Sequence, residues 1–317
     1  MANSPLVEVK NLSVSFPVSG GIMGRKVAEV KAVDDISFSI GKSEIVGLVG
    51  ESGCGKTTVG RAMINILKYI VPDVEVGGEI LYHFDGEDVD FNMLHSRRMG
   101  KYRSRVQMIF QDPYASLNPR MTVSQIVEEP LKIHTELKGP QRREKVITLL
   151  EKVGLREDQA GRFPHEFSGG QRQRVGIARA LAPSPDLIIC DEPVSALDVS
   201  IQAQVINLMV DLQKEFDVSF LFIAHDLSVV EHISDKIAVM YLGNLVEFGE
   251  SKQVYHHPRH PYSKALLSAV PVPDPKKKNR QRIVLKGDVP TPMNKPSGCS
   301  FRTRCPQAEP SCADHAP

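Results

Sequence analysis

The stretch Gly50-Glu-Ser-Gly-Cys-Gly-Lys-Thr-Thr58 most narrows what this chain can fold into. It follows the apolar run Ile45-Val-Gly-Leu-Val49, which reads as a short buried strand, and leads into the helical pattern from Val59 to Leu67. Strand, glycine loop and helix together form a P-loop context. Gly50, Gly53 and Gly55 let the backbone turn tightly enough to aim its N–H groups inward, and the helix N-terminus adds partial positive charge. Glu51, Ser52, Cys54 and Thr58 complete the loop. Lys56 supplies a cation for the β and γ phosphates of a nucleotide, and Thr57 a hydroxyl for Mg²⁺. A plain glycine turn joining strand to helix would need neither of these residues.

A chain of 317 residues is long enough for one large domain and an appendage. With 39 Lys and Arg against 38 Asp and Glu, the charge balance points to no broad nucleic-acid surface, and no nucleic acid is expected as a partner. The longest basic run, Lys276 to Arg282, lies in a proline-rich linker and reads as a solvated hinge rather than a binding site. No apolar run is long enough to span a bilayer, and the first residues lack the pattern of a signal peptide, so a cytosolic placement is expected. Of five cysteines, Cys299, Cys305 and Cys312 crowd the end of the chain. In a reducing compartment that crowding suggests a metal more than disulfides, with three reduced thiols in a small packed tail as the alternative.

Along the chain, alternation from Leu6 to Phe16 predicts a strand, the segment from Pro17 to Glu29 an inserted loop, and Lys31 to Ile40 a second strand. Phe16, placed at the end of the first strand, is either core or an aromatic face for adenine. Gly77 to Tyr82 and Val106 to Phe110 read as strands, the latter ending at Gln111. Helical periodicity dominates from Val123 to Val153, and residues 112–168 are expected to form a helical insertion. Phe167-Ser-Gly-Gly-Gln171 opens a helix, Leu187 to Cys190 is a buried strand ending in Asp191-Glu192, and Ser219 to Ala224 is another ending at His225. A strand hairpin turning near Gly243-Asn244 follows, and the composition shifts near residue 250. The expected class is α/β: a P-loop NTPase, RecA-like core with a mostly parallel sheet, an antiparallel β subdomain, an inserted helical subdomain and a small C-terminal extension. Residues 1–250 would form the ATPase domain and 251–317 the extension.

The series GESGCGKTT, Gln111 in MIFQDP, FSGGQ, LIICDEP, SALD and His225 in IAHD resembles the nucleotide-binding subunit of an ABC transporter, across nearly the whole chain. The stretches QDPYASLNPR, HPYSKALLSAVPVPDP and KGDVPTPMNKPSGCSFRTRC further resemble the ATPases of dipeptide and oligopeptide importers, and the insertion after Phe16 is similar to the second, F-type, of their two ATPases.

The resemblance implies ATP and Mg²⁺ as ligands. It implies Asp191 as a Mg²⁺ carboxylate, Glu192 as the residue that polarises the attacking water, His225 as a contact to the γ-phosphate, and Gln111 as a contact to both Mg²⁺ and water. Ser168, Gly169, Gly170 and Gln171 would meet the ATP held by the opposite subunit. The partners implied are a second ATPase subunit, identical or not, two transmembrane permease subunits and an extracytoplasmic solute-binding protein. The location implied is the cytoplasmic face of the membrane, with residues from Gln111 to about Pro130 as the docking surface. Related ATPases also carry a 4Fe–4S cluster, for which Cys299, Cys305 and Cys312 would be three ligands. Phe167 stands where the family commonly has leucine, and keeps an apolar anchor. A soluble ABC ATPase without membrane partners, or the same importer class carrying oligosaccharide or nickel, is the alternative. A P-loop kinase leaves FSGGQ and SALD unexplained, and the intact Lys56, Asp191, Glu192 and His225 argue against a subunit that binds ATP without hydrolysing it.

Overall fold

The computed structural model describes residues 5–20, 25–270 and 283–316; the Lys276–Arg282 run, with residues 21–24 of the expected loop, lies outside the described residues. The described residues form two compact bodies, one drawn from 5–40, 46–93 and 224–316, the other from 41–45 and 94–223.

The body that carries the P-loop begins with β1 (Val7–Gly20) and β2 (Arg25–Ile40). Next come β3 (Ile45–Val49), α1 (Lys56–Met63), α2 (Leu67–Ile70), β4 (Glu75–Phe84) and β5 (Glu87–Asp90). β2, β1, β4 and β5 form one antiparallel sheet in that spatial order. The described parts of the expected loop, residues 17–20 and 25–29, instead continue the ladder, with Phe16 opposite Val30, Pro17 opposite Glu29 and Gly20 opposite Arg25. Proline is admitted because β1 pairs with β4 only as far as Ser15, leaving one side of the strand unpaired beyond it. Phe16 therefore sits within β1, half-buried, rather than at its end.

The second body holds α3 (Ser96–Met99), β6 (Val106–Ile109), α4 (Pro113–Ser116), α5 (Val123–His134), α6 (Gly139–Lys152) and α7 (Gly169–Leu181). It continues with β7 (Leu187–Asp191), α8 (Val199–Phe216) and β8 (Ser219–Ala224). β6, β7 and β8 are parallel, Ile109 lying opposite Cys190 and Asp191 opposite Ile223. Every residue of β7 and β8 is buried, which is why both read as unbroken apolar runs rather than as alternation. α5 starts on a capping box in which Thr122 Oγ1 accepts from the Gln125 N–H while the Gln125 side chain accepts from the Thr122 N–H. Val123, Ile126, Val127 and Leu131 on α5, and Val146, Leu149 and Leu150 on α6, supply the buried face of the helical region.

The chain then returns to the P-loop body with α9 (Leu227–Ile233), β9 (Lys236–Tyr241), β10 (Asn244–Glu250), α10 (Ser251–His256) and α11 (Pro261–Ser268). β9 runs parallel to β3 and antiparallel to β10, and Leu242 and Gly243 both take positive φ in the hairpin turn, as that tight turn demands. α9 lies so close to β3 that a methyl group on Gly47 would sit 2.0 Å from Val230 Cγ1. Glycine in this buried strand is thus a packing requirement. Gly47→Ala is expected to lower stability by about 1–3 kcal/mol, measured as a fall in the urea midpoint; an unchanged midpoint would show that α9 is free to shift. No helix among the described residues is long and apolar enough to cross a membrane.

Candidate functional site

The P-loop lies between β3 and α1, and three of its glycines carry φ angles of 155°, 78° and 107° at Gly50, Gly53 and Gly55. Two also stand against backbone: a Cβ at Gly50 would meet the Met240 carbonyl oxygen at 2.2 Å, and one at Gly55 the Ala32 carbonyl oxygen at 2.3 Å. β9 and β2 thus press the loop into its turn from below. Lys56, only 5 % exposed, folds back over it, its Nζ donating to the carbonyls of Gly50 at 2.8 Å and Glu51 at 3.1 Å. An ammonium held at the mouth of a ring of backbone amides, at a helix N-terminus, fits a polyphosphate. Cys54, buried beneath the loop, has its thiol pKa raised by burial, so it is no exposed nucleophile. Thr57 and Thr58 occupy the first turn of α1, and Ser52 is exposed at the loop's tip.

In the second body, β7 ends on Asp191, 1 % exposed, followed by Glu192 in left-handed backbone with φ 46°. That conformation is costly for a side chain larger than glycine, on the order of 1–3 kcal/mol, and aims the Glu192 carboxylate at the strand-end residue Gln111. Gln111 Nε2 donates to Glu192 Oε2 at 2.9 Å. A carboxylate that accepts from the Gln111 amide, two residues beyond the end of β6, is held in one orientation and can orient a water.

Ser168 caps α7: its hydroxyl accepts from the Gln171 N–H and the Gln171 side chain accepts from the Ser168 N–H. Gly170 is fixed by packing, since a Cβ there would lie 2.5 Å from Ile201 Cγ2 on α8, and one at Gly169 would lie 3.2 Å from Leu197. The capping box and the close approach of α8 give each residue of the Ser-Gly-Gly-Gln run a local structural role within this chain as the opening of α7. Behind it Arg172, 5 % exposed, donates through Nε to the Pro164 carbonyl at 2.6 Å and lies 3.6 Å over the exposed ring of Tyr114. Phe167 is buried, as the apolar anchor requires.

His225 follows β8 and is exposed, directly before Asp226, whose side chain caps α9 through the Ser228 N–H. His225 belongs to the body that carries the P-loop; Gln111, Ser168 to Gln171, Asp191 and Glu192 belong to the other.

The cluster that the resemblance implied at the tail finds no support. Among the described residues no group of three or more His, Cys, Asp or Glu side chains is arranged to hold a metal ion. Cys299 is buried, with its N–H donating to the Cys312 carbonyl at 2.9 Å, and the Cys305 sulfur accepts from the Gln307 N–H within its own turn.

Sequence reasoning missed two residues beside the loop. Arg304 pairs with the Glu51 carboxylate, and Tyr262 Oη accepts the Glu51 N–H at 3.0 Å. Tyr262 belongs to the His-Pro-Tyr text noted in the sequence, but nothing in spacing or periodicity ties a tail arginine to a loop more than 250 positions earlier.

Against known proteins, residues 33–195 match the family described as ABC transporter, and residues 246–312 match the oligopeptide/dipeptide transporter C-terminal region. The chain is 53 % identical to the oligopeptide transport ATP-binding protein AppF of Bacillus subtilis, covering 98 % of this chain and 92 % of that one. It is 50 % identical to the oligopeptide transport ATP-binding protein OppF of Escherichia coli K12, with the same coverage. Among solved structures, it resembles the dimeric post-hydrolysis state of the ATP-binding cassette MJ0796 bound to ADP and Pi, with a TM-score of 0.64 and 27 % identity over 77 % of this chain and 98 % of that one.

Proposed function

Since this chain belongs to the ABC transporter family, as an ATP-binding protein of its oligopeptide and dipeptide group, we propose that it hydrolyses ATP to drive uptake of short peptides through membrane permease subunits. The single observation that carries the peptide assignment is the match of residues 246–312 to the C-terminal region of oligopeptide/dipeptide transporters, alongside the identity to AppF and OppF.

In this reading the amides at Gly50, Gly53 and Gly55 and the Lys56 ammonium hold the ATP phosphates. Thr57, Gln111 and Asp191 offer a hydroxyl, an amide oxygen and a carboxylate, the hard oxygen donors that Mg²⁺ prefers in company with phosphate. Mg²⁺, when bound, neutralises charge building on the phosphoryl oxygens. Glu192 orients and polarises the attacking water, held in place by Gln111, and His225 contacts the γ-phosphate. Phe16 is half-buried, and its free ring surface suits stacking on adenine. Ser168 to Gln171 meet the nucleotide of a second ATPase subunit, so the working form is a dimer. Residues 1–250 act as the ATPase domain, with the insertion at 112–168, and 251–317 as the extension. The chain lies at the cytoplasmic face of the membrane through its permease partners, which receive solute from an extracytoplasmic binding protein.

Cells lacking this chain should fail to take up a radiolabelled tetrapeptide, and reintroducing it should restore uptake. Normal peptide uptake with loss of oligosaccharide or nickel uptake would transfer the assignment to those solutes. Normal uptake of all three would favour a soluble ATPase.

A further inference from the structure

The tail of the chain closes over the outer side of the P-loop, within the same compact body. Arg304 Nη1 donates to both oxygens of the Glu51 carboxylate, at 3.3 and 3.1 Å, and its side chain is only 10 % exposed. Phe301, three residues earlier, is completely buried and packs against the rings of Tyr241 and Tyr262 at 5.1 and 5.4 Å between centroids. Tyr262 is the residue whose hydroxyl accepts the Glu51 N–H. Two further bonds hold the tail: Lys295 Nζ donates to Asp34 at 2.7 Å, and the Ser300 hydroxyl donates to Asn244 Oδ1 at 2.7 Å. Asn244 in turn donates to the Asp34 carbonyl, and the adjacent Gly243 N–H donates to the Cys54 carbonyl of the loop. The loop is thus gripped at Glu51 and at Cys54 by groups that the tail itself fixes.

The charge on Glu51 gives this grip a consequence for binding. A carboxylate stands on the loop that receives a polyanion, and Lys56 donates to that residue's own carbonyl. Left unpaired in a half-buried position, it would repel the triphosphate and offset part of the attraction from Lys56. We propose that Arg304 is a positioning residue for ATP: it neutralises Glu51 and holds it away from the phosphate nest, so that the C-terminal extension sets the affinity of the P-loop. The proposal rests on the P-loop being the ATP site.

The test uses the full chain and equilibrium titration with a fluorescent ATP analogue and Mg²⁺, with thermal melting as a check on folding. Arg304→Gln should weaken binding roughly tenfold, with the melting temperature moved by no more than about 2 °C, and Arg304→Lys should recover most of the loss. The decisive arm is the double variant E51Q/R304Q, which removes both charges and should bind within about threefold of wild type. Undiminished affinity in R304Q would overturn the proposal. So would a double variant as weak as R304Q, because that result assigns Arg304 to packing alone. Failure of the wild type to bind ATP, or full binding by Lys56→Ala, would instead overturn the P-loop reading, and the proposal with it.

Discussion

Lys56→Ala is expected to weaken Mg-ATP binding by at least about 100-fold, the equivalent of losing one or two charge-assisted hydrogen bonds. The ammonium is already desolvated and aimed at the loop's opening by the Gly50 and Glu51 carbonyls, so it reaches a phosphate without reorganising. Alanine leaves the loop backbone intact, because the turn is set by the glycines and by the Met240 and Ala32 carbonyls rather than by the lysine. Calorimetric titration of the folded variant measures the effect. Affinity within threefold of wild type would remove Lys56 from the phosphate site.

Glu192→Gln should have the second large effect, on turnover rather than binding. The variant keeps the shape of the side chain but loses the carboxylate that polarises water, and general-base contributions of this kind run to about 10²–10⁴ in rate. Expected are ATP affinity within about threefold of wild type, hydrolysis reduced at least about 100-fold, and accumulation of an ATP-loaded dimer on gel filtration. Hydrolysis at the wild-type rate would end the role given to Glu192. Gln111→Ala should lie between, since it removes the 2.9 Å bond that steadies the carboxylate and leaves the carboxylate itself.

The parts of the fold that were legible in the sequence are those where one physical constraint acts on consecutive residues. β3, β7 and β8 are buried on both faces, so Ile45 to Val49, Leu187 to Cys190 and Phe220 to Ala224 carry no polar side chain, and each run ends at a motif that the loops carry. The P-loop was legible because its φ angles admit glycine alone at low cost, and the turn between β9 and β10 for a similar reason. The stretch from Pro17 to Glu29 misled at residues 17–20 and 25–29 because proline and glycine usually break strands, whereas backbone pairing carries the ladder from Phe16–Val30 through Pro17 to Gly20–Arg25. For the tail cysteines, closeness in sequence left both a metal and three reduced thiols open, and the described residues show only a backbone bond from Cys299 to Cys312 with a separate turn at 305–308. Contact with Ile201 demands glycine at position 170 whatever else it does, and neither that packing nor the bond from Arg304 to Glu51 leaves a pattern in the sequence. Long-range polar contacts of that kind become visible only once the chain is folded.

The buried ring of Phe301 bears on how such proteins can be recombined. It fills a space whose walls are Tyr241, from a strand of the ATPase region, and Tyr262, from the helix that follows it. An extension transplanted from a relative would bring its own counterpart of Tyr262 but arrive without the Tyr241 wall and the Glu51 counter-charge it was matched to, and a chain cut near residue 250 would open Tyr241 to water. Interchange of these extensions between transport systems is therefore restricted to donors that carry the same aromatic trio and the same acid and base pair, and those residues form the junction that any chimera has to preserve.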